Sequence, residues 1–599
     1  MTREGAVRLA GWLGPPIAVA AFSLIWVPPA DTYWHLAAGR EILEQGGLLE
    51  RDPFSFTAGD HRWINHEWLA EILFYGIYQL GGWWGLYAFR TLAVVLSFTL
   101  LPMLMSRAPV LTGWVTLAAL YLGQAERFLD VRAYLFTYLF LALTFFLASR
   151  YAASAKARDL ALPVVVVAVW ANCHGAYILG PVALGLAAVG ISVEDRRVGS
   201  RGGTLMGTAC AGMLLALLNP YGAEIWLFPF SLLEKNAYTL GLNEWSRPDL
   251  LGSQAGYLGL LALGVGLIGY AAKRRPWMQA AWFAFFGATG VAAWRHEPLA
   301  ALAVCYLAAR CLGKSEPADG GPSGNSDLAD SGRSGDGWLF PAAAVLALGA
   351  SLLWLGFRLA PGPEQWSYRR QLFPVYALEF LKANPKLPQR IANPYEWGGF
   401  LGWHLGPAGR VMIDGRAHTA FPEAVYRDAL HLQFGEPWID LLERKGLAGN
   451  EPRAPWQAVP DRYGVDLLLA SRLQGDLPRR LEGSKDWRLI YSDHLSGIYL
   501  RDKPEYRDRI WTYPVTPPAL LERAVRSLRE KKRQECEQDL RTALEMDPTL
   551  PFTRYYLALL AHDRGETAEA LRLVDQELEL NPRNRAAQEL RRRLIEPHN

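Results

Sequence analysis

This chain is poor in cysteine and in charge, and both shortages narrow what it can be. Five cysteines are scattered through its 599 residues: Cys173, Cys210, Cys305, Cys311 and Cys536. None is spaced as a metal-binding pair, so no disulfide framework is legible. Charged residues amount to 20% and the net charge is +3. With no block of Lys and Arg, an electrostatic nucleic-acid interface is excluded. A Walker loop and a dinucleotide fingerprint are both missing, which argues against a nucleotide-sugar or ATP site. A GxSxG nucleophile elbow is missing as well.

What is abundant is apolar. Hydrophobic residues make up 51% of the chain, and the aromatic 12% suits interfacial belts at a membrane. The mean hydropathy of +0.05 averages two unlike parts. Long apolar runs fill residues 1–357, and the remainder reads as soluble protein. A span needs about 20 mostly apolar residues, and about eleven such runs are predicted. They lie near 9–27, 84–105, 110–124, 133–149, 160–172, 175–192, 204–218, 254–272, 277–293, 297–312 and 338–357. The run at 160–172 is short enough for a broken or tilted helix. Arg3, Arg8, Arg107, Arg150, Lys156, Arg158, Arg196, Arg197, Arg201, Lys273, Arg274, Arg275, Arg310 and Lys314 all fall on one side if the spans alternate. That side is therefore expected to be cytoplasmic, and an odd number of spans puts residues 358–599 outside. The alternative, a cleaved signal peptide at the start, conflicts with Pro15-Pro16 in its apolar centre. Residues 313–337, rich in Gly, Ser and Asp, read as a flexible cytoplasmic linker.

Residues 358–512 read as a small extracytoplasmic α/β domain. Short strands are predicted at 410–414, 465–469 and 487–491, the last pairing with 497–500 as a hairpin. Helices are predicted at 375–382 and 424–433. Residues 513–599 are different. Pro548 and Pro582 lie 34 residues apart, each closing an apolar helix. Leu557, Ala558, Gly565, Ala570 and Pro582 occupy the positions of a tetratricopeptide repeat, and Leu540, Ala543 and Pro548 those of a weaker copy. Two such repeats are too few to stand alone, so they are expected to pack on the α/β domain or on a partner.

With this topology the unusual polar residues gather on the outer face. The long first outer loop, 28–83, carries DTYWH (31–35), DPFSFT (52–57) and NHEWL (65–69). Later outer segments add ERFLDVR (126–132), WANCHG (170–175), NPYG (219–222), NEW (243–245) and WRHEP (294–298). Each has a plain reading. Asp31 could cap a helix starting at Thr32. Asp31 and His35 could be a surface pair one helical turn apart, Asn65 could cap an amphipathic interfacial helix over 66–80, and Arg127, Arg132 and Arg295 could flank spans and snorkel. Convergence of so many is harder to dismiss, because a charge at the bilayer centre costs at least about 2.5 kcal/mol. Carboxylates can serve as a general base or hold a divalent metal. Interfacial arginines suit a lipid phosphate.

The pattern DTYWHLAAGREIL…DPFSFT…WINHEWLAE, with RAYLF at 132–136, WANCHG, NPYG and YEWGGFLGWHLGPAGRVMIDGR at 395–416, resembles a bacterial branch of the GT-C class of membrane glycosyltransferases. The resemblance implies a polytopic helical bundle in the bacterial inner membrane. It also implies transfer of a sugar from a polyprenyl-phosphate-linked donor to an extracytoplasmic glycan, lipid or protein. Asp31 matches the class's first-loop catalytic carboxylate. Glu67, Asp52 and His66 are expected to assist it, with Mg or Mn as a possible cofactor held by Asp31. Arg132, Arg295 and Arg127 are expected at the donor phosphate. His35, Asn172, His174, Glu244, Asp414 and Arg416 are expected on the acceptor side. Trp397-Gly398-Gly399-Phe400 resembles the WWDYG region of oligosaccharyltransferases but lacks its central Asp, which speaks against peptide-sequon recognition. Asp414 either faces the site or ends a strand. The rival readings are a non-enzymatic scaffold displaying the repeats to an acceptor protein or partner enzyme, a lipid-linked glycan ligase, and a transporter.

Overall fold

The computed structural model describes residues 3–23, 30–124, 130–231, 238, 243–312, 372–406, 410–447, 449, 454–506 and 516–595. The chain divides into two compact units. One comprises Met1–Arg51 and Arg62–Trp366, the other Asp52–His61 and Ser367–Asn599. Ten residues of the segment 28–83 thus fold with the C-terminal part.

The first unit is helical: α1 (Arg3–Ser23), α2 (Ala30–Gln45), α3 (Trp68–Val95), α4 (Leu101–Met105), α5 (Pro109–Leu122), α6 (Tyr134–Ser154), α7 (Ala161–Trp170), α8 (Leu179–Glu194), α9 (Ser200–Leu215), α10 (Glu224–Ser231), α11 (Ala255–Tyr270), α12 (Trp277–Ala292) and α13 (Glu297–Cys311). Each of the ten predicted spans up to residue 312 falls on a helix, but not all of these helices have full spanning length. Among the described residues four are long and apolar enough to cross a membrane: Trp68–Met105, Tyr134–Ser154, Gly175–Glu194 and Ser200–Leu218. Leu9–Ser23, Pro109–Leu122 and Ala255–Tyr270 are apolar but shorter. α7 stops after 10 residues at Trp170, where the chain turns through 171–174. The predicted span 338–357 and the linker 313–337 lie outside the described residues. α3 breaks at Gly82, whose φ of 54° interrupts the helix where the interfacial stretch was expected to give way to a span. α13 is buried along almost its whole length, which fits its continuous apolar surface.

The second unit carries a four-stranded sheet, β1 (Ile391–Ala392), β2 (Leu467–Ser471), β3 (Trp487–Ser492) and β4 (Ser496–Arg501), in the order β1-β2-β4-β3. β1 and β2 are parallel, and β3 and β4 form the expected hairpin. The predicted strand at 410–414 is a correction. Only Val411 bridges there, to Ile391 and to Ser55. The Asn393 side chain also accepts the Met412 amide, and the chain then turns at Asp414, whose carboxylate accepts the Arg416 amide. The missed strand, β1, is two residues long and too short for an alternation to show. Helices at Val375–Ala383 and Glu423–Phe434 match their predictions.

Five helices follow: Pro517–Arg529, Arg533–Met546, Thr553–Asp563, Thr567–Leu580 and Arg585–Ile595. The first two pairs repeat at 34 residues. Ala524 and Ala558, Cys536 and Ala570, and Leu540 and Val574 are buried at equivalent places. The turn within each pair takes a left-handed residue at the same position, Lys531 and Gly565.

Candidate active site

The first unit brings the polar motifs together around two arginines. Arg132 Nε lies 3.2 Å from Asp31 Oδ2 and 3.6 Å from Asp130 Oδ2, and its Nη1 lies 3.8 Å from Glu244. Glu244 reaches on to Arg295 Nη1 at 3.1 Å. Asp31, Arg132, Glu244 and Arg295 thus form one row of alternating charge. Arg295 Nε donates to the Tyr134 hydroxyl at 2.7 Å, and its guanidinium lies 4.1 Å from the Trp245 ring centre. Stacking of that kind holds a planar cation in place without using its remaining N–H groups. The row is partly open: Asp31 and Glu244 are each 24% exposed and Arg132 is 30% exposed.

Asp31 is not a helix cap. α2 begins at Ala30, which places Asp31 in the first turn. Its second oxygen accepts from Trp34 Nε1 at 3.1 Å, so both oxygens are engaged. His35, one turn later, is buried and faces a different group. Its Nδ1 lies 3.9 Å from Glu67 and 4.0 Å from Glu71.

Glu67 forms the second pole. It immediately precedes α3, and three imidazoles surround it. His66 Nε2 is 3.5 Å away and His174 Nε2 is 3.6 Å away, both from Oε1, while His35 faces Oε2. His174 Nδ1 accepts the Ala176 amide at 3.3 Å. The neutral ring must therefore carry its proton on Nε2, toward Glu67. Burial pushes the Glu67 carboxyl well above its ordinary range, and the charges of Glu71 and Asp31 push the same way, against Arg295 and Arg132. Burial lowers His35, helped by Arg132, and takes His174 down to about 3. Asp130 is raised to about 6, chiefly by burial. The site thus sets two imidazoles lowered by burial, His35 and His174, beside a carboxyl raised by burial.

Several expected site residues have partners of their own. Asp52, Asp414 and Arg416 come together in the second unit. Arg416 Nη1 lies 2.8 Å from Asp52 and Nη2 lies 2.6 Å from Asp414, all three buried. Asp52 also caps the Phe54 and Ser55 amides. Asn172 is a pin: its side-chain oxygen accepts from Trp68 and from Asn219, and its amide donates to Ala168. Glu244 bridges the two arginines. Arg127 lies outside the described residues. Asp130, Tyr134 and Trp245 were missed. Each adjoins a flagged residue in sequence or space, but only the fold shows Tyr134 and Trp245 on Arg295.

The expected Mg or Mn fits poorly. Among the described residues no group of three or more His, Cys, Asp or Glu side chains is arranged to hold a metal ion. Asp31 is taken by Arg132 and Trp34, and the His174 tautomer points a proton, not a lone pair, at Glu67.

No protein-family model matches this chain. No curated protein matches it either. Among solved structures, the apo oligosaccharyltransferase of Archaeoglobus fulgidus aligns at a TM-score of 0.44 and 13% identity, over 84% of this chain and 76% of that one. The A. fulgidus oligosaccharyltransferase AglB in complex with an inhibitory peptide and a dolichol-phosphate aligns at 0.45 and 14%, over 82% and 74%. The A. fulgidus enzyme with zinc and sulfate aligns at 0.42 and 14%, over 82% and 73%. Likenesses of this size fix neither fold nor activity.

Proposed function

We propose that this chain is a GT-C-like integral membrane glycosyltransferase that moves a sugar from a polyprenyl-phosphate-linked donor to an acceptor outside the cytoplasm. The observation that carries this reading is the row Asp31–Arg132–Glu244–Arg295, half-open and set where apolar helices end. Two guanidiniums offer planar N–H pairs that match phosphate oxygens. Their carboxylate partners hold them in register until a phosphate takes the same N–H groups. As the glycosidic bond breaks, charge builds on that phosphate, and fixed cations stabilise it there. Asp31 acts by positioning Arg132.

The surrounding assignment belongs to the same proposal. The bundle sits in a bacterial plasma membrane with its N-terminus inside and residues 358–599 outside. The helical pairs at 517–580 are tetratricopeptide-like and recruit an acceptor protein or partner enzyme. A pure scaffold leaves the charged row without a role.

The test is polyprenyl phosphate binding to the purified full chain in nanodiscs. Arg132→Met and Arg295→Met are each expected to weaken it by about 1.5–3 kcal/mol, roughly ten- to hundredfold. Unchanged binding in both variants would overturn the reading.

A further inference from the structure

We infer that Glu67 is the base that takes the acceptor's proton, and that the acceptor group is a hydroxyl. This deepens the glycosyltransferase reading and rests on it. The geometry separates two tasks. Asp31 has both oxygens engaged, one by Arg132 and one by Trp34, which fixes it to the arginine row. Glu67 is the reverse. Its oxygens face three imidazole nitrogens at 3.5, 3.6 and 3.9 Å, at or beyond the limit of a direct hydrogen bond. It is 13% exposed and so can be reached.

The gap between Glu67 Oε1 and His174 Nε2–H offers one acceptor and one donor, 3.6 Å apart. A hydroxyl can donate to the first and accept from the second, whereas an amide N–H can only donate. His174 is held for this task. Its Nδ1 is fixed by Thr137 at 2.8 Å and by the Ala176 amide, and Trp170 in turn donates to Thr137 at 3.2 Å. In the step itself the acceptor oxygen bonds to the anomeric carbon. The bond from that carbon to the carrier phosphate oxygen breaks, its electron pair leaves with the phosphate, and the hydroxyl proton passes to Glu67 Oε1.

The raised Glu67 carboxyl sets the pH dependence. Its base form grows as pH rises above the ordinary carboxylate range, so transfer climbs with pH there. His35, His66 and His174 face the same carboxyl, but burial keeps His35 and His174 neutral over that range. Glu71 and Asp31 hold the Glu67 transition up, and Arg132 and Arg295 hold it down.

The experiment uses the full chain in nanodiscs, with a labelled lipid-linked saccharide fraction extracted from host membranes as donor. Donor binding and transfer are read separately, from pH 5 to 9. Glu67→Gln is expected to bind donor like the wild type, to lose transfer on the order of 100-fold or more, and to lose the climb with pH. Glu67→Asp is expected to transfer slowly and keep the climb, which separates lost chemistry from lost folding. The sugar is expected on oxygen in the product. Transfer by Glu67→Gln within threefold of wild type, or a sugar found on nitrogen, would overturn the inference while leaving the glycosyltransferase reading in place. Wild-type protein that binds none of the donor would overturn both, and is distinguished by the binding readout.

Discussion

At the scale of single residues, the sequence motifs named most of the groups at the site but not their partners. Asp31, Glu67, Arg132, His174, Glu244 and Arg295 are each flagged by being polar near an apolar run, which is a property of local sequence. Pairing is set by which helix ends meet, and no local pattern encodes that. Asn172 shows the difference. As a polar residue at a helix break it looked like a ligand contact, yet it is the shared acceptor for Trp68 and Asn219. Replacing it with Ala leaves those donors without their acceptor, at a cost of about 1–3 kcal/mol. Asn172→Ala is therefore expected to lower the thermal midpoint, as followed by intrinsic fluorescence. A variant of wild-type stability would show that the pin is dispensable.

At the scale of elements, the site depends on how closely α2 and α3 approach. Gly39 on α2 makes that approach. A Cβ there would stand 2.2 Å from the Glu71 carbonyl oxygen and 2.9 Å from the Tyr75 side chain. Backbone cannot yield as a flexible side chain can, so Gly39→Ala must push the helices apart. Overpacking of this kind costs about 1–3 kcal/mol. It also moves His35 away from Glu67 and Glu71. Gly39→Ala is expected to lower stability and transfer together, read from unfolding in detergent alongside the donor assay. The helices themselves were legible, because apolar runs of this length and composition admit few alternatives. The strand at 410–414 was not. Its apolar alternation is real, but it bridges only at Val411, because a side chain also takes the Met412 amide and Asp414 turns the chain.

At the scale of the whole molecule, the contrast between an apolar and a soluble part was legible, but the place of Asp52–His61 escaped the sequence. Asp52–His61 folds with the C-terminal unit, although some 300 residues of membrane protein separate them in the chain. The clamp is Arg416, buried between Asp52 and Asp414. Arg416→Met strands two buried carboxylates, and breaking such a pair typically costs about 3–5 kcal/mol. The second unit is expected to unfold at clearly lower denaturant in that variant, and an unchanged midpoint would remove the clamp from the account. Topology is tested by alkaline-phosphatase fusions. A fusion after Asn599 is expected to be active and one after Arg275 inactive, and the reverse pattern would invert the orientation.

The most direct test of glycosyl transfer is glycan and glycoconjugate mass spectrometry of a strain lacking this chain, complemented with wild type or with Asp31→Asn. The account predicts a glycoconjugate that loses a sugar in the deletion strain, regains it with wild type, and fails to regain it with a folded Asp31→Asn protein. Identical glycoconjugates in parent and deletion strains would contradict it.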